Sequence, residues 1–362
     1  MISMRKMLIA MGLLSAIAIT SCKDDFKVDA PYKNITFVYA IFNMNDTAHY
    51  VRIQKAFLDE NKSAITMAQN PDSSFYPTLD VTMQELDNSG NIRATYPLNK
   101  VDMNLEGFQK DPAGNQGFFT SPNNGYKLKF PVGKTFDPAY QYRLVINNPV
   151  TGEKDSSDVI GVVNANPEKN TANGNFYVPD FMRAGYTIDF SKTQYKQSYN
   201  IIGSTPKYGQ WLEGVIRFHV IEKNEAANTT KDIYVDYDFA TQITEQFKSF
   251  SLSTYNSNFY TFLKNELGAA PANTLRYMDS ARVMIYCGST ELYNYQQVNA
   301  AQNGGLLGDQ IKPIYTNLKG PNVYGMVGSR AIAIYENAWV NNQTIDSMRV
   351  NPITADMGFQ PR

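Results

Sequence analysis

The sequence predicts a mainly β chain with two β-rich domains, and three observations carry that expectation. Tyrosine and phenylalanine, which fit the pleated, half-buried surface of a strand, number 24 and 20 against only two tryptophans. Short apolar stretches recur between turns rich in Asn, Gly and Pro. Within the stretches side chains alternate with a period of two, as in His49 to Phe57, where Val51 and Ile53 fall on one face and Arg52 and Gln54 on the other.

Taken in order, Ile35–Phe42 is apolar on both faces, which predicts a buried strand, and Asn43–Asp46 supplies the turn into the alternating one. Leu79, Val81 and Met83 share a face. Asp87-Asn-Ser-Gly90 closes that run with a tight turn before Ile92–Leu98 returns. Tyr126–Val132 follows a loop rich in Gly, Asn and Pro (Asp111–Gly125). Tyr140–Ile146 and Ser157–Val163, separated by the turn Asn147–Gly152, finish the set. About seven short strands with turns between them predict a β-sandwich of immunoglobulin-like type over 33–164.

Asn164–Gly174 (NANPEKNTANG) holds no apolar residue larger than alanine and predicts a linker, placed at 165–175. The second domain, 176–362, opens with strand patterns at Tyr186–Phe190 and Gly214–Glu222. Lys231–Phe239 then sets Ile233, Val235, Tyr237 and Phe239 against Asp232, Tyr234, Asp236 and Asp238. Between Ser253 and Leu267 the period changes: Tyr255, Phe259, Phe262 and Leu263 recur on one helical face. Ser253 is placed to cap this helix, Gly268 suits the left-handed position beyond its end, and Pro271 blocks continuation. A second helix is predicted over Thr290–Gln302, and closing strands over Ala281–Cys287 and Ala331–Tyr335.

The start of the chain is set aside from the fold. Arg5 and Lys6 precede an uncharged, mostly apolar run, Met7–Ile19. A spanning helix needs about 20 apolar residues, so residues 1–21 have the dimensions of a signal peptide. Ile19-Thr20-Ser21 leads directly into Cys22, which resembles the lipobox of bacterial lipoproteins. That resemblance implies cleavage before Cys22, acylation of its thiol and a lipid-anchored tether over 22–32. Each buried methylene adds roughly 0.8 kcal/mol, and one chain alone holds only marginally, so the two or three chains of a lipoprotein would hold lastingly. Lys23, Asp24 and Asp25 are similar to the export signal of Bacteroidota surface lipoproteins, which implies an outer-membrane location facing the cell exterior.

Charge and motif content narrow the chemistry. Removing Arg5 and Lys6 from the 33 basic residues leaves 31 against 34 acidic ones. No basic surplus exists to neutralise phosphates, which argues against nucleic-acid binding. With Cys22 assigned to the anchor, Cys287 has no partner for an intramolecular disulfide and reads as a buried thiol. The two histidines, His49 and His219, lie inside strand patterns and are a thin supply for a triad or a multi-imidazole zinc site. The sequence contains no G-x-S-x-G, P-loop or dinucleotide fingerprint. No catalytic residue, cofactor or metal is therefore predicted. Asp232, Asp236 and Asp238 offer carboxylates to a hard cation but lack a calcium loop, and read as the wet face of a strand. No carboxylate pair stands out as a glycosidase would require. Trp211, Trp339, Tyr293 and Tyr295 could stack on sugar rings or grip a peptide, with core packing the simpler account.

Two stretches carry a family resemblance: FVYAIFNMNDTAHYVRIQKAF (Phe37–Phe57) and IYTNLKGPNVYGMVGSR (Ile314–Arg330), with the helix around Phe259–Leu263 upstream. Together they resemble the β-rich outer-membrane lipoproteins of Bacteroidota often encoded beside TonB-dependent transporters. The family more often shows a glycine-rich stretch with Phe where this chain has Asn322–Arg330. The resemblance implies a non-catalytic binding or docking accessory on the cell surface, partnered with an outer-membrane transporter. The alternatives are a structural, fimbrillin-like surface subunit and, less simply, a glycan-acting hydrolase.

Two further sets of residues follow. The triplets at Asp46-Thr47-Ala48, Asp279-Ser280-Ala281 and Asp346-Ser347-Met348 resemble the O-glycosylation site of exported Bacteroidota proteins, which marks Thr47, Ser280 and Ser347. Lys319–Arg330 carries Gly320, Gly325 and Gly328 with Pro321 and predicts a tight irregular loop. Its apolar residues must either pack inside, against the Tyr255/Phe259/Phe262/Leu263 helix face, or dock a partner through Tyr324 and Met326.

Overall fold

The computed structural model describes residues 35–56, 64–110, 119–169, 171–191, 197–303 and 315–361. Cys22, Lys23, Asp24, Asp25 and the signal and tether segments lie outside the described residues. The strands are β1 (Thr36–Phe42), β2 (His49–Lys55), β3 (Asp80–Leu86), β4 (Ile92–Asp102), β5 (Asn124–Leu128), β6 (Gln141–Asn147), β7 (Lys154–Ser157), β8 (Thr187–Ile188), β9 (Ser198–Ser204), β10 (Gly209–Asn224), β11 (Thr229–Ile243), β12 (Ser249–Tyr255), β13 (Thr274–Ser289), β14 (Leu318–Lys319) and β15 (Val323–Val340). Helices are α1 (Ala64–Ala68), α2 (Pro71–Ser74), α3 (Asn256–Leu267), α4 (Thr290–Asn303) and α5 (Asn342–Val350). The chain is mainly β, as expected, an N-terminal sandwich followed by a β-rich unit with helical insertions.

Two cores organise these elements. The first gathers Val38, Phe42, Val51, Ile53, Met83 and Leu144 with their neighbours. The second gathers Phe190, Ile216, Phe218, Phe259, Val283 and Ile285 with theirs. Each comes from the inward half of strands that alternate, and each removes a large apolar surface from water.

One strand serves both cores. The first half of β15 pairs in parallel with β1, from Thr36↔Val323 to Phe42↔Ser329. Its second half pairs antiparallel with β13, from Gly288↔Arg330 to Ala281↔Ala338. Strand order is therefore continuous, β11-β10-β13-β15-β1-β2-β5-β4-β3-β6-β7-β14. The path leaves β15 through β1 and returns through β14, the segment just ahead of β15 in sequence. The sandwich expected over 33–164 is thus completed by residues near the C-terminus: Leu318, Val323 and Val327 belong to the first core.

The stretch Lys319–Arg330 is accordingly a strand for most of its length, not an irregular loop. Met326 is only 2% exposed, so it presents no partner contact. Tyr324 is half-buried, its ring 6.2 Å from that of Phe37. The internal packing is on β1, not on the α3 face, because parallel pairing puts β15 beside Val38 and Ala40.

Three smaller expectations also change. β1 is not buried on both faces: Tyr39 and Ile41 point outward and are exposed. The 165–175 linker is pinned at its ends, since the Asn164 amide donates to Asn173 O, Gly174 O and Asn175 Oδ1, and Phe176 N donates to Asn166 O. The helix starts at Asn256 rather than Ser253, because Ser249–Tyr255 alternates as β12 against β9. Its buried face is Phe259, Tyr260 and Leu263, while Tyr255 is exposed; Gly268 ends it with φ 61°.

Candidate functional site

The part of the molecule best placed to meet a ligand is the outer face of β11, β10, β13 and β15. The inner face of these strands forms the second core. Alternation therefore turns every second residue outward: Trp211, Glu213, Val215, Arg217 and His219 on β10, with Tyr234, Asp236 and Asp238 on β11. Register then sets these side chains in rows across the sheet. Trp211 lies opposite Gly288, which faces Arg330; Glu213 lies opposite Tyr286, which faces Ile332; Val215 lies between Asp238 and Met284, which faces Ile334. Arg217 lies between Asp236 and Arg282, and His219 between Tyr234 and Ser280. One end of the face is closed by α4, whose Leu292 and Gln296 stand beside Trp211.

Charge pairs hold this face in shape. Arg217 forks onto Asp236, with Nε to Oδ1 and Nη2 to Oδ2 both 2.6 Å. Those bonds hold the Asp236 carboxyl below the usual carboxylate range and raise the guanidinium. Arg282 Nε donates to Glu336 Oε2 at 2.7 Å. His219 lies between two carboxylates, Nε2 2.8 Å from Asp232 Oδ1 and Nδ1 3.3 Å from Asp279 Oδ2, and its ring stacks on Tyr234 at 4.7 Å. Glu213 is unlike these. Burial first, and the charge of Asp238 second, hold its carboxyl above the ordinary range. Two cavities lie on the face, of about 460 Å³ and 390 Å³, and Arg217 lines both.

The sequence-predicted residues scatter with respect to this site. Of the four aromatics singled out, Trp211 stands in the groove. Trp339 is exposed at the far end of β15, beside β8. Tyr295 edges onto Tyr39 at 6.0 Å. Asp232 and Asp236 are held by His219 and Arg217 rather than gathered for a cation. Thr47 is exposed in the β1–β2 turn. Ser280 is half-buried within β13, and the half-buried Ser347 donates its hydroxyl to Gln343 O. Cys287 is buried, and burial pushes its thiol up, away from the reactive thiolate.

A third cavity, about 550 Å³, lies where the two units meet, against Tyr208, Gln210, Phe247 and the start of α4. Tyr208 and Phe247 both take φ 66° there. Each is held in that conformation by its backbone N–H, Tyr208 to Gln246 Oε1 and Phe247 to Thr205 O.

His49 is sealed away. It is 3% exposed among the rings of Phe42, Phe130 and Phe136, the nearest centroid at 4.6 Å. Neither ring nitrogen has a hydrogen-bond partner among the described residues. Burial pushes its pKa down to about 4, so the fold carries it neutral. The unfolded chain gains a proton near pH 6.5 and the native one only near 4, so stability falls as pH drops through that window. The loss should reach about 3 kcal/mol. Denaturant titrations at pH 7.5 and 4.5 should show that loss in the wild type and a much smaller one in His49→Leu. Equal losses in both proteins would assign the acid sensitivity elsewhere.

No family model matches the chain, and no curated protein matches it. Solved structures similar to it include CBD12 from CALX1.2, at 8% identity over 82% of this chain and 99% of that one, with a TM-score of 0.17. The FN1–FN3 domains of chicken CNTN1 match at 11% identity over 84% of this chain and 67% of that one, TM-score 0.15. The C-terminal globular domain of an oligosaccharyltransferase from Pyrococcus abyssi matches at 9% identity over 85% and 49%, TM-score 0.15. At such TM-scores the likeness establishes nothing about this chain's site or activity.

Proposed function

We propose that the protein is a lipid-anchored surface lipoprotein acting as a non-catalytic binding or docking accessory, working beside an outer-membrane transporter of the TonB-dependent kind. The observation that carries the binding part is the open outer face of β11, β10, β13 and β15, where rings alternate with locked charge pairs. The Ile19–Asp25 pattern supports the anchor and its outward orientation. A filament subunit that sheds its first strand fits less well: β1 is bonded on both sides, to β15 and to β2. A hydrolase with Cys287 as nucleophile fits less well too, since that thiol is buried and burial pushes it away from the thiolate.

The test is made in cells. A fatty-acid probe should label the wild type and leave Cys22→Ala unlabelled. Protease added outside intact cells should digest the wild type, while the triple change Lys23→Ala, Asp24→Ala and Asp25→Ala stays lipidated but protected. The wild type solubilised from outer membrane should carry a transporter with it. Label on Cys22→Ala refutes the anchor, equal protection of both forms refutes the export signal, and purification without a transporter refutes the partnership.

A further inference from the structure

We propose that the outer face of β11, β10, β13 and β15 is a groove for a linear, neutral oligosaccharide. This deepens the reading of the chain as a binding protein by naming the ligand class of its site. Access comes first. Along the groove β10 is hydrogen-bonded on both sides, to β11 and β13, and β13 is bonded to β10 and, from Ala281 to Gly288, to β15. Their backbones have nothing left to offer a peptide strand, so a ligand on this face must be recognised by side chains alone.

Shape comes next. The two cavities adjoin at Arg217. From Trp211 to His219 the outward row on β10 runs roughly 26 Å at about 3.3 Å per residue. That length suits a chain of several sugar units better than one small molecule.

The side chains then select the chemistry. Trp211, Tyr286 and Tyr234 offer flat apolar rings; Tyr234 is 64% exposed and is held flat by its stack on His219. Between the rings stand fixed acceptors and donors, the Arg217–Asp236 fork and the Arg282–Glu336 pair. A pyranose presents the complement of both, a C–H face that stacks and neighbouring hydroxyls that donate and accept. Because the charged side chains already hold one another, little side-chain freedom is lost when a ligand arrives.

Charge sets the last limit. Carboxylates, Glu213 and Asp238 among them, outnumber the guanidiniums of Arg217, Arg282 and Arg330 along the face. A sulfated, uronic or phosphorylated polymer would meet a surface of its own sign. An uncharged chain meets no such barrier.

The experiment uses the full lipidated protein in detergent, titrated calorimetrically with neutral hexasaccharides (β-1,4-glucan, α-1,4-glucan, β-1,4-mannan and β-1,4-xylan), a heparin hexasaccharide and hexalysine. At least one neutral hexasaccharide should bind. The double change Trp211→Ala and Tyr286→Ala should weaken that binding by about tenfold or more. Trp211 is half-buried, so a second variant guards against misfolding: Arg217→Gln with Arg282→Gln alters exposed positions and should also weaken binding, with the circular dichroism melt still cooperative and lowered by no more than a few degrees. The proposal is overturned if no neutral hexasaccharide binds at millimolar concentration, if hexalysine or the heparin fragment binds instead, or if binding survives both double changes. The measurement is independent of where the protein sits in the cell. A protein that reaches the surface and holds its transporter but binds no oligosaccharide loses only the ligand class.

Discussion

Gly325→Ala is expected to destabilise the protein by about 3 kcal/mol or more. Gly325 has φ +126°, a conformation that residues with a Cβ rarely adopt, and it lies opposite Val38 in the parallel β1–β15 ladder. A Cβ placed there would stand 1.9 Å from the Val38 carbonyl oxygen. That neighbour is backbone in the middle of a strand, so it cannot swing aside as a long side chain could. The ladder must open or the strands must part, and this ladder joins the two cores. Gly90 provides the comparison. It too has positive φ, +83°, but nothing lies within 4 Å of its Cβ position. Gly90→Ala should therefore show the backbone term alone, about 1 kcal/mol. Urea unfolding of the three proteins decides the matter: equal losses for the two variants would mean that the approach to Val38 costs nothing.

Gly325 also shows why one part of the fold was hard to read. Three glycines and a proline within Lys319–Arg330 are turn chemistry when only neighbours in sequence are considered. Glycine in a strand instead marks a close approach of another backbone, and here that backbone is β1, at the other end of the chain. No local pattern reports a partner so distant. The strands that were legible, β2, β3 and β11, each have one wet face, so the period of two survives in the sequence. β12 has the same period, with Phe250, Leu252 and Thr254 inward and Ser251 and Ser253 outward. It was obscured because Tyr255 and Ser253 also fit the start of the helix that follows.

The candidate site divides in the same way. The row Asp232, Tyr234, Asp236 and Asp238 is visible on one strand, and so is its exposure to water. Its partners Arg217 and His219 lie on β10, and Arg282 meets Glu336 from β13 to β15; the register that brings these together passes through irregularities at Gly214/Val215, His219/Val220 and Ala281/Val283. A shift of one residue would turn the whole row inward. The pairing of Arg217 with Asp236 is thus a property of the folded sheet and had no signal in sequence. Trp211 had one, its ring, but nothing in sequence distinguished it from Trp339.

The other large effect is expected at Arg276, which is 2% exposed. Its guanidinium donates from Nε to Glu222 Oε1 at 2.8 Å, from Nη1 to Gly268 O at 2.8 Å and from Nη2 to Leu267 O at 3.0 Å. The two carbonyls are at the end of α3, where the helix has no donors left of its own and its dipole favours a cation. The Arg276 backbone also holds the C-terminal segment, donating to Gly358 O and accepting from Gln360 N. One residue thus ties α3, β10 and the chain end to β13. Arg276→Met would leave the largely buried Glu222 carboxylate and both helix carbonyls without their partner, at a cost of about 3–5 kcal/mol. Arg276→Lys should recover only part, because an ammonium cannot fork between a carboxylate and two carbonyls. Arg282 is the control: its pair with Glu336 is exposed on both sides, so Arg282→Met should cost under about 1 kcal/mol. Denaturant midpoints for the three variants at neutral pH rank these costs. If Arg276→Met falls no further than Arg282→Met, the buried arginine is not what holds the end of α3 in place.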